Sequence, residues 1–305
     1  MTIKLGYQIP NFSYGTSVSE LFPTVIAQAQ EAEAAGFDSV FVMDHFYQLP
    51  GLGAPEEPML EAYTALGALA TATERVQLGT LVTGNTYRNP TVLAKAITTL
   101  DVISQGRAIL GIGAGWFELE HDSLGFEFGT FTDRFNKLNE ALDIILPMIK
   151  GERVTVDGTY YRTKEAFANP RFRDHIPLMI GGSGEKKTIP LAARHFDHLN
   201  LIATFDQLAA KVQVVRERCE EIGRDPATLE TSTLLSVIPD PNAGIDSLPE
   251  EFRGRAAVGS PEAIAEQIKT KVLDAGVGGV IFNMPVYTPG SLTALAEVLK
   301  PLLAD

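Results

Sequence analysis

Residues 76–113 read VQLGTLVTGNTYRNPTVLAKAITTLDVISQGRAILGIG. Two short apolar runs, 76–82 and 107–113, flank a segment over 91–104 in which apolar residues recur at steps of three and four, the spacing of one buried helix face. Strands that read as nearly unbroken apolar runs and alternate with such helices form a parallel sheet whose outer side the helices cover. The same unit repeats along the chain. Strand-like runs stand at 3–9, 38–43, 76–82, 107–113, 177–181, 197–202, 231–237 and 278–283, with helix-like segments near 19–35, 61–73, 91–104, 131–149, 185–195, 205–222, 261–275 and 291–303. Ser260-Pro261-Glu262 reads as an N-cap with proline in the first helical position, and Gly36, Gly223 and Gly276 stand where helices stop. Eight repeats close into a barrel, so the predicted fold class is α/β: a (β/α)₈ TIM barrel forming one domain over 1–305.

The rhythm breaks after strands four and seven. Residues 116–176 form the larger insertion, with an irregular stretch from Trp116 to Thr130 and a predicted hairpin within 151–176; residues 239–258 are polar and rich in Pro and Gly. Long connections in a compact fold are usually functional lids, the alternative being tolerated surface insertions.

Composition narrows the classes of partner. A formal net charge of −13 argues against nucleic acid and anionic membrane, both of which need a basic footprint. No run approaches the roughly 18 apolar residues of a membrane span, and the N-terminus enters a strand-like pattern directly, so a soluble cytoplasmic protein is expected. Cys219 is the only cysteine, which leaves no internal disulfide and no cysteine cluster for a metal; no metal site is expected. An anionic ligand would need local basic residues or backbone N–H groups.

Active sites of such barrels gather at the carboxyl ends of the strands. Strand two runs into Asp44-His45, and histidine is the side chain suited to exchange a proton near neutral pH, although a structural histidine would read the same. Strand four ends in Gly111-Ile112-Gly113-Ala114-Gly115-Trp116 and strand five in Gly181-Gly182-Ser183-Gly184-Glu185-Lys186-Lys187. Glycines there let a ligand approach the backbone, and a following helix start suits phosphate; plain turn-making glycines are the alternative. Trp116 offers a flat wall to a ring system, or else packs under a loop. Glu118 and His121, three apart, would share a helical face and reach one bound group.

IKLGYQIP, FDSVFVMDHF, LGTLVTGNTYRNPTVLAK, RAILGIGAGWFELEH, PLMIGGSGEKKT and GSPEAIAEQI, in that order, resemble the luciferase-like flavin and deazaflavin oxidoreductases, and within them the branch that uses coenzyme F420. The resemblance implies the same barrel with an insertion near strands four and five, and hydride transfer between the deazaflavin and a small organic substrate. It implies proton exchange at His45 and cofactor contact at Asp44, together with a cis, non-proline bulge at Leu81-Val82 with Thr83 and Asn85 nearby. It further implies phosphate binding at Gly181, Gly182, Ser183 and Gly184, and an acidic cofactor tail steered by Arg88, Lys186 and Lys187; the end of strand four adds Ala114, Gly115 and Trp116 as expected cofactor contacts. In the sugar-phosphate dehydrogenases of the branch a catalytic glutamate follows the strand-four glycines; here Trp116 holds that place, which argues against glucose-6-phosphate oxidation. FMN with a monooxygenase reaction, or a non-catalytic barrel, are the alternatives. A homodimer and a small-molecule substrate are the expected partners.

Overall fold

The computed structural model describes residues 4–248 and 250–303; Ile3 of the first predicted strand and Pro249 of the second insertion lie outside them. The eight barrel strands are β1 (Leu5–Ile9), β2 (Ser39–Val42), β3 (Gln77–Thr80), β4 (Ala108–Gly113), β5 (Leu178–Gly181), β6 (His198–Leu201), β7 (Glu230–Ile238) and β8 (Gly279–Asn283). All pair in parallel, each with the next in sequence, and β8 returns to β1 through Leu5↔Val280, which closes the barrel. The helices between them are α1 (Val18–Ala35), α2 (Ala62–Ala72), α3 (Pro90–Ile103), α4 (Phe131–Ile149), α5 (Thr188–His195), α6 (Phe205–Glu221), α7 (Pro261–Ile268) and α8 (Ser291–Leu303).

Alternation along the strands sends one set of side chains inward and the other out to the helices. Phe41, Leu81, Ile109, Met179 and Ile281 fill the interior, while Val40, Val42, Leu78, Leu110 and Leu199 join the larger core beneath the helices. The barrel is therefore packed through its middle and open only at its mouth. Ser260 caps α7 by accepting from Ala263 N–H, and Gly36 ends α1 with φ 89°, both at the positions the sequence marks.

Three local departures from the sequence reading have physical causes. Helix α5 starts at Thr188, not near 185, because Glu185–Lys187 turn away from the strand before the chain becomes helical. The seventh helix ends its α-helical course at Ile268 and finishes as a π-helical turn over Lys269–Leu273. The second insertion is not wholly irregular: Ala256–Val258 pairs in parallel with β7 through Ser236↔Ala256 and brings Arg255 to the barrel mouth. The predicted hairpin is present as antiparallel Val154–Asp157 and Arg162–Ala166. Among the described residues, no helix is long and apolar enough to cross a membrane.

Candidate active site at the barrel mouth

A cavity of about 650 Å³ opens where β2 to β8 end, within the size range of small-molecule and cofactor sites. Its wall takes in Asp44, His45, Leu81, Val82, Thr83, Ala114, Gly115, Trp116, Gly181, Gly182 and Ser183, so most of the residues singled out from the sequence converge. Asn85, Arg88, Glu118, His121, Gly184 and Lys186 are not among its lining residues.

The floor is built at the end of β3. The Leu81–Val82 peptide is cis, as the resemblance implies, and the Leu81 carbonyl accepts from Gln8 Nε2 at 2.9 Å. Gln8 Oε1 in turn accepts from Asn283 Nδ2 at 3.1 Å, and Asn283 Oδ1 from Ser236 Oγ at 3.0 Å, so one chain of bonds ties β3, β1, β8 and β7 together beneath the cavity. Val82 stands against glycines on two neighbouring strands. A Cβ on Gly113 would lie 3.0 Å from Val82 Cγ2, and one on Gly181 would lie 3.2 Å from Val82 Cγ1.

His45 projects from the end of β2 with its side chain 12% exposed. Its Nδ1 lies 2.9 Å from Glu120 Oε2, and its ring meets those of Trp116 and Phe117 edge-on. Glu120 is fully buried; Oε1 accepts the N–H groups of Phe46 (2.5 Å) and Tyr47 (2.9 Å), and Oε2 also accepts from the Tyr87 hydroxyl. Burial works to raise the Glu120 pKa, but the bond from His45, its charge, Tyr87 and the Tyr47 N–H outweigh it and hold the carboxyl below its ordinary range.

Asp44 is buried beside it and is held by other partners. Its Oδ2 accepts from Gly84 N–H at 3.0 Å and from Arg88 Nη1 at 2.7 Å, and burial pushes its pKa up against the pull of that guanidinium. Arg88 also pairs with Glu61 at 2.5 Å and lies over the Tyr63 ring. The expectation that Arg88 steers a cofactor tail is therefore corrected: both ends of its guanidinium hold carboxylates of the protein itself. Asn85 is buried behind the cavity against Tyr161.

At the end of β5 the Gly182 N–H is bonded to Asn200 O at 3.0 Å, so it continues the strand ladder and is not free for a ligand. Gly182 has φ 135°, and a Cβ there would meet Thr188 Cγ2 at 3.1 Å. The anion-binding potential of this turn thus shifts to the Thr188 hydroxyl and the Ser183 backbone N–H, both of residues that line the cavity, since the Ser183 hydroxyl already donates to Ile202 O at 2.8 Å. Lys186 and Gly184 are exposed, whereas the Lys187 ammonium lies over the wall residues Phe131 and Phe135.

The pairing of Glu118 with His121 is overturned. In the short helix Glu118–Leu124, Glu118 faces solvent, while His121 is fully buried with Nδ1 at Phe117 O (2.8 Å) and Nε2 at Thr86 Oγ1 (2.7 Å). The inward stripe is Phe117, Glu120 and His121, at i, i+3 and i+4, and that spacing was the signal that Glu120 is the carboxylate to follow. Sequence reading also missed Arg255. It is half-buried in the cavity wall, and no ion pair or side-chain hydrogen bond reaches its guanidinium among the described residues. Burial pulls its pKa down, with no carboxylate to offset it. No group of His, Cys, Asp and Glu is arranged for a metal among the described residues.

Comparison with known proteins agrees with this geometry. The model of the luciferase-like monooxygenases matches residues 3–244. The F420-dependent glucose-6-phosphate dehydrogenase of Nakamurella multipartita is 32% identical over 96% of both chains. That of Microbacterium testaceum is 40% identical over 62% of this chain, a match spanning 54% of the relative's own length. Among solved structures, an F420-dependent secondary alcohol dehydrogenase with an F420–acetone adduct superposes over 100% of both chains with a TM-score of 0.85 at 23% identity. The long-chain alkane monooxygenase LadA covers 100% of this chain and 92% of its own, with a TM-score of 0.81 at 15% identity. At those identities the likeness is one of fold.

Proposed function

From the premise that the chain belongs to the luciferase-like monooxygenase family, we propose that it is an F420-dependent oxidoreductase that moves a hydride between the deazaflavin and a small organic anion. The observation that carries the reading is His45, the one imidazole in the cavity wall among the described residues, beside the Val82 shelf, whose neighbours Gly113 and Gly181 lack side chains.

The wall fits a planar cofactor. Leu81, Val82 and Ile202 supply apolar surface, and Gly113, Gly181 and Gly182 leave open the space that a Cβ would fill against Val82 or Thr188. The Ser183 N–H and the Thr188 hydroxyl would hold a phosphate, and Lys187 stands near the rim for an acidic tail. When bound, the deazaflavin supplies the two-electron hydride carrier. His45 would hold or give up the proton of the substrate oxygen at Nε2, while Trp116 and Phe117 keep water from its ring.

Arg255 speaks for the substrate class. A half-buried guanidinium with no partner is unfavourable until an anion arrives, so the substrate carries a carboxylate or similar group on the β7 side of the cavity. Both relatives described above by sequence are named for glucose-6-phosphate, but Trp116 occupies the place of the catalytic glutamate their resemblance implies, so that substrate is not carried over. Oxygen-free turnover with deazaflavin over a panel of hydroxy or keto acids and their neutral amides tests the reading. Faster turnover of the acids is expected; turnover only with reduced FMN and oxygen would instead support a monooxygenase.

For the homodimer, the face proposed is the open groove of about 870 Å³ where α2 and α3 meet the hairpin, which leaves Val92, Ile103 and Phe167 exposed. Val92→Glu should then give a monomer by light scattering.

A further inference from the structure

A buried carboxylate is costly unless its oxygens are satisfied, and the contacts of Glu120 are unusually concentrated. Its Oε1 takes the N–H groups of the two residues that follow His45, and its Oε2 takes the His45 ring nitrogen itself. One side chain thus clamps both the backbone and the imidazole of the same short segment after β2, from the insertion after β4.

The chemistry of the acceptor decides where the proton on that ring sits. An ionised carboxylate only accepts, so Nδ1 of His45 must carry a hydrogen to bond with it. The Tyr87 hydroxyl supplies the other bond to Oε2; burial and then the neighbouring Glu120 push its pKa up, so the phenol stays protonated and can only donate there. With Nδ1 engaged, Nε2 is the atom left to exchange a proton, and it has no protein partner among the described residues. Trp116 and Phe117 pack edge-on against the ring and limit its rotation.

We propose that Glu120 is the positioning residue of the site: it fixes the tautomer and orientation of His45 so that Nε2 faces the cavity ready to take a substrate proton. This rests on the reading of His45 as the proton-exchanging group. In Glu120→Gln the N–H groups of Phe46 and Tyr47 keep the amide oxygen at the Oε1 place, which turns the NH₂ towards Nδ1. The histidine must then accept at Nδ1, and its proton moves to Nε2.

The test has a readout that needs no turnover. Nitrogen-15 NMR of histidine-labelled protein without cofactor should find neutral His45 protonated at Nδ1 in the native protein and at Nε2 in Glu120→Gln. In the loaded enzyme kcat of Glu120→Gln should fall about 10²-fold or more, the scale of lost general acid–base help, while the substrate KM and deazaflavin affinity stay within about threefold. The double variant His45→Ala/Glu120→Gln should be no slower than His45→Ala alone. Native His45 protonated at Nε2 overturns the proposal without need of any variant, as do a normal kcat in Glu120→Gln and multiplied effects in the double variant. A merely structural Glu120 would lower thermal stability and cofactor affinity together. Failure of the underlying reading looks different: His45→Ala would itself keep full activity.

Discussion

Val82 and Gly113 are matched across adjacent strands: the Val82 Cγ2 methyl occupies a position 3.0 Å from where a side chain on Gly113 would begin. A Cβ on that neighbour would press on the valine, which would have to give by a few tenths of an ångström. Neither Gly113 nor Gly181 has positive φ, so alanine is acceptable to the backbone at both and presses chiefly on Val82. Gly113→Ala and Gly181→Ala should each weaken deazaflavin binding about tenfold, equivalent to ~1.4 kcal/mol of displaced shelf, with a melting temperature lowered by only a few degrees. Fluorescence titration and thermal melting on the same samples check this, and unchanged affinity would separate the shelf from the cofactor.

Substitution of Gly182 does not separate phosphate binding from stability. Its φ of 135° strains any side chain, and its neighbour Thr188 lies in the way, so Gly182→Val should lower stability whatever the turn binds. Thr188→Val keeps the shape and removes only a hydroxyl from the cavity wall. Its melting temperature should match the native protein while deazaflavin affinity drops roughly tenfold, the worth of one hydrogen bond to a charged group. Equal affinity would mean the phosphate is not held at this turn.

Arg255→Met tests the unpartnered guanidinium in both directions. Removing a desolvated cation should leave the melting temperature equal or higher, whereas KM for an anionic substrate should rise more than tenfold with kcat little changed. A fall in stability together with an unchanged KM would assign Arg255 to structure instead.

The pH dependence of stability has an identifiable contributor far from the cavity. Glu33 accepts the N–H groups of Glu74, Arg75 and Val76 at 2.5 to 3.1 Å; burial works to raise its pKa, but these bonds and the Arg75 charge outweigh it and lower the pKa. A folded-state pKa below the unfolded value of about 4.3 stabilises the fold fully above that pH, and the contribution is lost as pH falls through the folded value. Glu33→Gln should therefore melt earlier than the native protein at pH 7, with the gap closing below about pH 4. A gap independent of pH would exclude the carboxylate charge as the cause.

The barrel was legible because period and burial are written in each strand and helix: RAILGIG at 107–113 becomes β4 within a residue at its start, and Ser260-Pro261 caps α7 as it reads. Strand ends told where to look for His45 and Gly182, and the resemblance added Val82; all three line one cavity. Partners were not legible. Arg88 and Arg255 carry the same charge in the sequence, yet one is saturated by Asp44 and Glu61 and the other faces the cavity alone, because the carboxylates that decide it come from other elements. Glu118 and Glu120 differ only in the face of one short helix, and its orientation is set by the rings of Tyr87, Phe126 and Phe128 packing on His121.

The central claim is that this cavity is shaped for deazaflavin, and the most direct measurement is the affinity of the purified protein for F420 and for FMN under identical, oxygen-free conditions. Both cofactors carry a phosphate, so Lys187, placed near the Val82 shelf for an acidic tail that FMN lacks, predicts that F420 binds more tightly than FMN and that Lys187→Met narrows the difference. Tighter binding of FMN, with F420 failing to displace it, would contradict the account and leave a flavin monooxygenase as the better description of the site.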